Sequence, residues 1–132
     1  MKTIIAGSRD GVTSKHVCEA VLYAGWDITE VVSGEARGAD KFGEQWAEAV
    51  KIPIKRFPAD WDKYGKSAGY RRNEEMAGYA QALIAVWNGT SKGTANMIEL
   101  ATKAGLMVYV HEIKEDELIT DILEEDKRKR KM

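Results

Sequence analysis

Hydrophobic positions along this chain fall into two alternating rhythms. The runs "KTIIAG", "ITEVVSG", "IPIKRF", "QALIAVW" and "LMVYVHEI" are short and apolar, and they predict five strands. Between them apolar residues recur every three or four positions. "SKHVCEAVLYAG" sets Val17, Ala20, Val21 and Ala24 on one helical face and stops at Gly25, and "DKFGEQWAEAV" repeats the pattern with Phe42, Trp46 and Ala49. "SAGYRRNEEMAGYA" and "TANMIELATKAG" predict two more helices, and "EDELITDILEEDKRK" a terminal one that runs out into charge. Pro53 falls near the start of the third strand, where a missing donor matters least.

Strands that alternate with helices imply βαβ units and a parallel sheet. The unbroken apolar character of "LIAVW" and "LMVYV" fits strands covered on both faces. The expected fold is α/β, Rossmann-like and doubly wound. It has a mainly parallel five-stranded sheet in the order 3-2-1-4-5, with helices on both faces. Such sheets bind ligands beyond the carboxyl ends of the strands, where the strand order reverses. The glycines of "GSRDG", "SGEARGAD" and "NGTSKGT" all follow strands and so gather at that edge. Helix N-termini that begin there favour anions.

Composition and charge narrow the possible partners. The 132 residues suffice for one domain, and the 44% hydrophobic and 31% charged content is that of a globular protein. Residues 1–112 are expected to form the ligand-binding domain, with a terminal helix and basic tail at 113–132. The apolar run of "MKTIIAGSRDG" is too short for a signal-peptide core, and no stretch reaches the ~18 apolar residues of a spanning helix. A cytoplasmic location without membrane partners is expected. Cys18 is the single cysteine, which excludes an intrachain disulfide and a thiolate metal cluster. Formal net charge is −1, yet Lys127 to Lys131 are five consecutive basic residues. Without them 20 basic residues fall to 15 against 21 acids, so the body carries −6. That balance disfavours a broad duplex-binding surface.

Familiar nucleotide signatures are missing: there is no G-x-G-x-x-G after the first strand and no P-loop. His16 and His111 show no metal spacing, and no nucleophile elbow occurs, so neither a metal nor a cofactor is expected. Trp46 and Trp87 read as core residues. Trp61 and Tyr64, in the polar stretch "PADWDKYGKSAGY", either stack on a base as a lid or pin the stretch to the body.

Four motifs in one order carry a family resemblance. "GSRD", "SGEARGAD", "AGYRRNEEM" and "WNGTSKGT" together resemble the YspA-like, YpsA-related branch of the SLOG superfamily, over roughly residues 2–110. That superfamily includes nucleotide-ligand sensors, the LOG phosphoribohydrolases and the DprA DNA-processing proteins. The resemblance implies a Rossmann-like fold, a nucleotide or nucleotide-derived ligand, and a homodimer or higher homo-oligomer. It places Gly7, Ser8 and Arg9 in a first ligand loop, and Gly34, Gly38 and Asp40 in a second. Arg72 and Asn73 fall on the third helix, and Gly89, Thr90, Ser91, Gly93 and Thr94 in a phosphate loop. Small residues let amides approach phosphate oxygens, and an arginine fork grips them in a bidentate way. Asp40 either accepts from ribose hydroxyls or caps the second helix. LOG enzymes carry P-G-G-x-G-T-x-x-E, with the final glutamate serving N-glycosidic cleavage. Here Gly89, Thr90 and Ser91 replace P-G-G, and Met97 replaces the glutamate. Glu99 is rotated about 200° from that position on a helix. Glu74, Glu75, Asp60 and Asp62 are the other nearby acids. The leading expectation is recognition of a nucleotide-derived molecule. N-glycosidic hydrolysis of a nucleotide is the alternative, and DprA-like single-strand binding comes third.

Overall fold

The structure is a computed structural model and describes residues 1–113. Five strands, β1 (Lys2–Gly7), β2 (Glu30–Ser33), β3 (Ile54–Arg56), β4 (Ala82–Trp87) and β5 (Met107–Glu112), form one sheet in the order β3-β2-β1-β4-β5. Every pairing is parallel. The expected class, strand order and coverage of both faces are therefore present. The predicted terminal helix and basic tail lie outside the described residues, apart from Ile113, which is buried and donates to the Trp87 carbonyl.

Alternation along the strands sends side chains into two cores. Ile5, Val31, Ile84 and Val86 face α1 (Ser14–Ala24) and α2 (Ala39–Ala49), where they meet Val17, Ala20 and Ala47. Ile4, Ala6, Val32, Leu83 and Ala85 face α4 (Ala68–Tyr79) and α5 (Lys92–Lys103), against Met76, Ala77, Met97 and Ala101. Strands β1 and β4 are buried almost throughout because helices cover both of their faces. α1 starts in a capping box: Thr13 accepts from the His16 amide, and the His16 ring accepts from the Thr13 amide. It ends at Gly25, whose φ of 65° supplies the left-handed cap. One of the two histidines is thereby engaged in local structure.

The stretch after β3 differs from its expected loop character. Asp60 accepts from the Lys63 amide and caps a one-turn helix, α3 (Trp61–Tyr64), which a 3-10 turn over Gly65–Ser67 joins to α4. A single turn has no hydrophobic periodicity, so nothing in the pattern of the chain announces it.

Candidate functional site

The order of strands puts the reversal point between β1 and β4, and the loops after β1, β2 and β4 converge there. Three cavities adjoin at this edge and share Arg9 and Arg72. The first, of about 220 Å³, lies over the end of β1 and the start of α5. Its walls include Gly7, Arg9, Asp40, Arg72, Asn73, Ser91, Gly93 and Thr94, all expected ligand-binding positions. Gly34 borders the second cavity, of about 450 Å³, together with Pro58, Ala59 and Trp61.

Four expected positions do not border these cavities, and each has a structural task instead. Ser8 is buried; its hydroxyl accepts from the Asn88 amide at 3.0 Å and ties the first loop to the fourth. Gly38 has φ 77°, and a Cβ there would meet the Ser8 carbonyl at 2.4 Å. Gly89 (φ 85°) and Thr90 form the tip of a turn organised by Asn88, whose Oδ1 accepts from the amides of Thr90 and Ser91 at 2.9 Å each. Asn88 was not among the expected residues, although an Asn before Gly is a recognisable turn signal. Trp87, expected in the core, is half-buried and donates from Nε1 to the Ser91 carbonyl at 3.1 Å, anchoring the same loop.

That loop delivers the N-terminus of α5 to the first cavity in an open state. Ser91, the N-cap residue, makes no side-chain capping bond, and the first turn contains no acid. The amides of Lys92, Gly93 and Thr94 thus lack the intrahelical partners that later residues have, and they carry the positive end of the helix dipole. Ser91 and Thr94 hydroxyls lie 3.2 Å apart beside them.

Arg72 faces this opening from α4. Its Nη1 donates to the Gly34 carbonyl and its Nε to Asn73 Oδ1 at 3.0 Å. Asn73 Nδ2 in turn donates to the Gly93 carbonyl at 3.3 Å and to Asn96 Oδ1 at 3.0 Å. A chain of hydrogen bonds therefore fixes the guanidinium relative to the α5 terminus. Gly34 makes room for it, since a Cβ there would lie 2.6 Å from Nη1. Burial lowers the Arg72 pKa, with Asp40 opposing the shift, and an arginine so placed remains a cation at neutral pH.

Among the described residues Asp40 is the one carboxylate on the wall of the first cavity. It does not cap α2, whose N-cap is Gly38 without a side-chain bond. Its Oδ2 instead accepts from the Ala36 amide at 3.2 Å and holds the second loop. Burial pushes its carboxyl up to about 6 against the opposing pull of the Ala36 amide and the Arg72 and Arg9 guanidiniums, while Glu44 adds to the rise. Glu44 is itself buried, bonded by Ser33 Oγ at 2.7 Å and paired with Arg56 at 3.1 Å, so it supports β2 from outside the crevice.

The remaining acids stand away from the first cavity. Met97 occupies part of its wall and is 1% exposed. Glu99 is exposed and paired with Lys103 at 2.9 Å. Glu74, Glu75, Asp60 and Asp62 are exposed and border none of the three cavities. Trp61 borders two of them and Tyr64 none; Tyr64 instead carries the Arg71 guanidinium 4.3 Å above its ring. No group of three metal-ligating side chains occurs among the described residues, and no described helix is long and apolar enough to cross a membrane.

A parallel sheet with a crevice at its reversal point defines a Rossmann-like domain. Comparison with known proteins gives that class a family. The model of the YspA, cpYpsA-related SLOG family matches residues 1–64, which carry the first two loops of the crevice. The chain is also 41% identical over 85 residues to the gene 61 protein of Mycobacterium phage D29, covering 59% of this chain and 67% of that protein. It belongs to the YspA, cpYpsA-related SLOG family.

Proposed function

We propose that the protein binds a nucleotide or nucleotide-derived small molecule through its phosphate, for sensing or sequestration. One observation carries this reading: the uncapped, acid-free N-terminus of α5 opens into the same cavity as the Arg72 guanidinium. Amides and an arginine fork aimed at one volume are the chemistry of phosphate capture. Trp61, half exposed on the second cavity, offers a flat face for the base, and Asp40 an acceptor for a sugar hydroxyl. A cytoplasmic location and a homodimer or higher homo-oligomer belong to the same proposal.

N-glycosidic hydrolysis is the second reading, and Asp40 is the observation in its favour. A buried carboxyl titrating at about 6 can hold or release a proton near neutrality. Met97 in the wall, where LOG enzymes have their acid, favours binding over hydrolysis. Single-strand binding is disfavoured by the −6 charge of the body.

Thermal denaturation with AMP, ADP-ribose, NAD and a cyclic nucleotide tests the reading. A ligand at 100 times its Kd stabilises by ~2.7 kcal/mol, or roughly 5–10 °C for a domain of this size. A panel without any shift above scatter would sink the proposal. Chromatography of the same mixtures separates the two readings, because release of free base would mark hydrolysis.

A further inference from the structure

Trp61 also borders the third cavity, of about 200 Å³, which Pro58 and Ala59 do not line. Three cations border it: Arg9, Lys66 and Arg72. Among the described residues no carboxylate does, whereas Asp40 borders the first cavity and Glu35 the second. None of the three cations has a carboxylate within 4.0 Å among the described residues. The other described arginines are all engaged: Arg37 with Asp10, Arg56 with Glu44, and Arg71 over the Tyr64 ring. Among the described residues Arg9 and Arg72 are the two arginines with neither a carboxylate in contact nor an aromatic partner, and both border this volume.

We propose that the third cavity is a second anion subsite, so that the ligand carries two consecutive phosphates. A nucleoside diphosphate or a pyrophosphate-linked nucleotide has the required chemistry. This rests on the phosphate reading of the first cavity and extends it. Like charges gathered with no carboxylate in contact repel one another, Asp40 acting on the two arginines only from the first cavity, and a bound dianion relieves that cost. The first and third cavities share Arg9, Arg72, Asn73 and Gly93, so they are adjacent compartments of one crevice. The Arg72 fork stands between them and can meet oxygens of both phosphates. Lys66 borders only the third, which makes it the residue that reads the second phosphate.

Calorimetric titration with AMP and ADP, on the wild type and on Lys66→Ala, tests this. ADP is expected to bind at least about tenfold more tightly than AMP to the wild type. Lys66→Ala should weaken ADP by roughly 5- to 20-fold and leave AMP within about twofold, as expected for one charged hydrogen bond at an exposed side chain. Lys66 is exposed, so the variant should fold, and an unchanged melting curve without ligand verifies that. Lys63→Ala, an exposed lysine of the same stretch that borders none of the cavities, should alter neither ligand. Equal affinities for AMP and ADP, or equal losses of both in Lys66→Ala, would overturn the second subsite while leaving phosphate binding in the first intact. If neither these two nucleotides nor ADP-ribose, NAD and the cyclic nucleotide bind, both proposals fall together.

Discussion

Arg71 and Arg72 are chain neighbours in opposite surroundings. Successive helical residues point about 100° apart. Here that turn sends Arg72 into the crevice, while Arg71 stacks on Tyr64 and donates to Ser67 Oγ at 3.3 Å. Arg72→Ala is expected to weaken nucleotide binding by roughly 10- to 100-fold, and Arg71→Ala by less than about threefold. Titration calorimetry on both variants reads the difference, and equal losses would reduce the effect to a general field. Asp40 makes a second prediction at this scale. Its carboxyl titrates at about 6 in the fold, against roughly 3.9 in an unfolded chain. Between those values the folded state holds the proton more tightly. Stability contributed by Asp40 is therefore full below pH ~4, is lost as pH rises through about 6, and stays lost above it. Asp40→Asn keeps an acceptor for the Ala36 amide and removes the cost of ionisation. It should stabilise the protein at pH 7.5 by ~1–3 kcal/mol, with the gain fading toward pH 4. A gain independent of pH would mean that packing, not titration, is responsible.

Among the elements, the loops show what glycine patterns can and cannot convey. Strands and long helices were legible because their burial follows periods of two and about three and a half. The positions of loop glycines were legible as well, but their tasks were not. Gly7, Gly34, Gly38, Gly89 and Gly93 look alike in a sequence, yet the structure divides them. At Gly7 a Cβ would lie 1.9 Å from the Val86 carbonyl, so that glycine lets β1 and β4 approach. At Gly93 a Cβ meets nothing within 4 Å, although the residue borders two cavities. Gly7→Ala should therefore unfold the protein or lower its melting temperature sharply. Gly93→Ala should leave stability unchanged or raise it by up to ~1 kcal/mol, since alanine suits a helix better. It should nonetheless weaken nucleotide binding by placing a methyl group at the open amides. Denaturation and titration of the two variants check both halves of this expectation. Asp40 and Arg72 were legible for another reason: the resemblance of "SGEARGAD" and "AGYRRNEEM" to family motifs singled them out, whereas charge alone did not say what either would touch. Asn88 and Asn96 were missed: Asn88 shows in the chain only as a turn signal, and Asn96, within α5, has no charge to mark its bond to Asn73.

For the whole molecule, the crevice draws on residues from Ala6 to Met97. Deleting Lys127 to Met132 is therefore expected to preserve both the fold and nucleotide affinity, as circular dichroism and titration would show. Loss of binding in that truncation would place part of the site beyond the described residues, and loss of self-association alone would place an interface there. The overall architecture could be read from the chain because alternation of strands and helices leaves few un-knotted, right-handed routes. What alternation does not encode is how three loops share one volume, since that depends on contacts such as Ser8 to Asn88, 80 residues apart. The central position of β1 has a consequence for the life of the chain before it is complete. β1 precedes the other strands along the chain, yet its partner β4 begins at Ala82, and the Lys2 amide reaches across 79 residues to the Gln81 side chain. A ribosome must therefore deliver most of the described chain before the sheet can close around its first strand. Until then Ile5 lacks Ile84 and Val86, and Ile4 lacks Met76, Leu83 and Met97, so early chains must remain unaggregated without any help from a ligand.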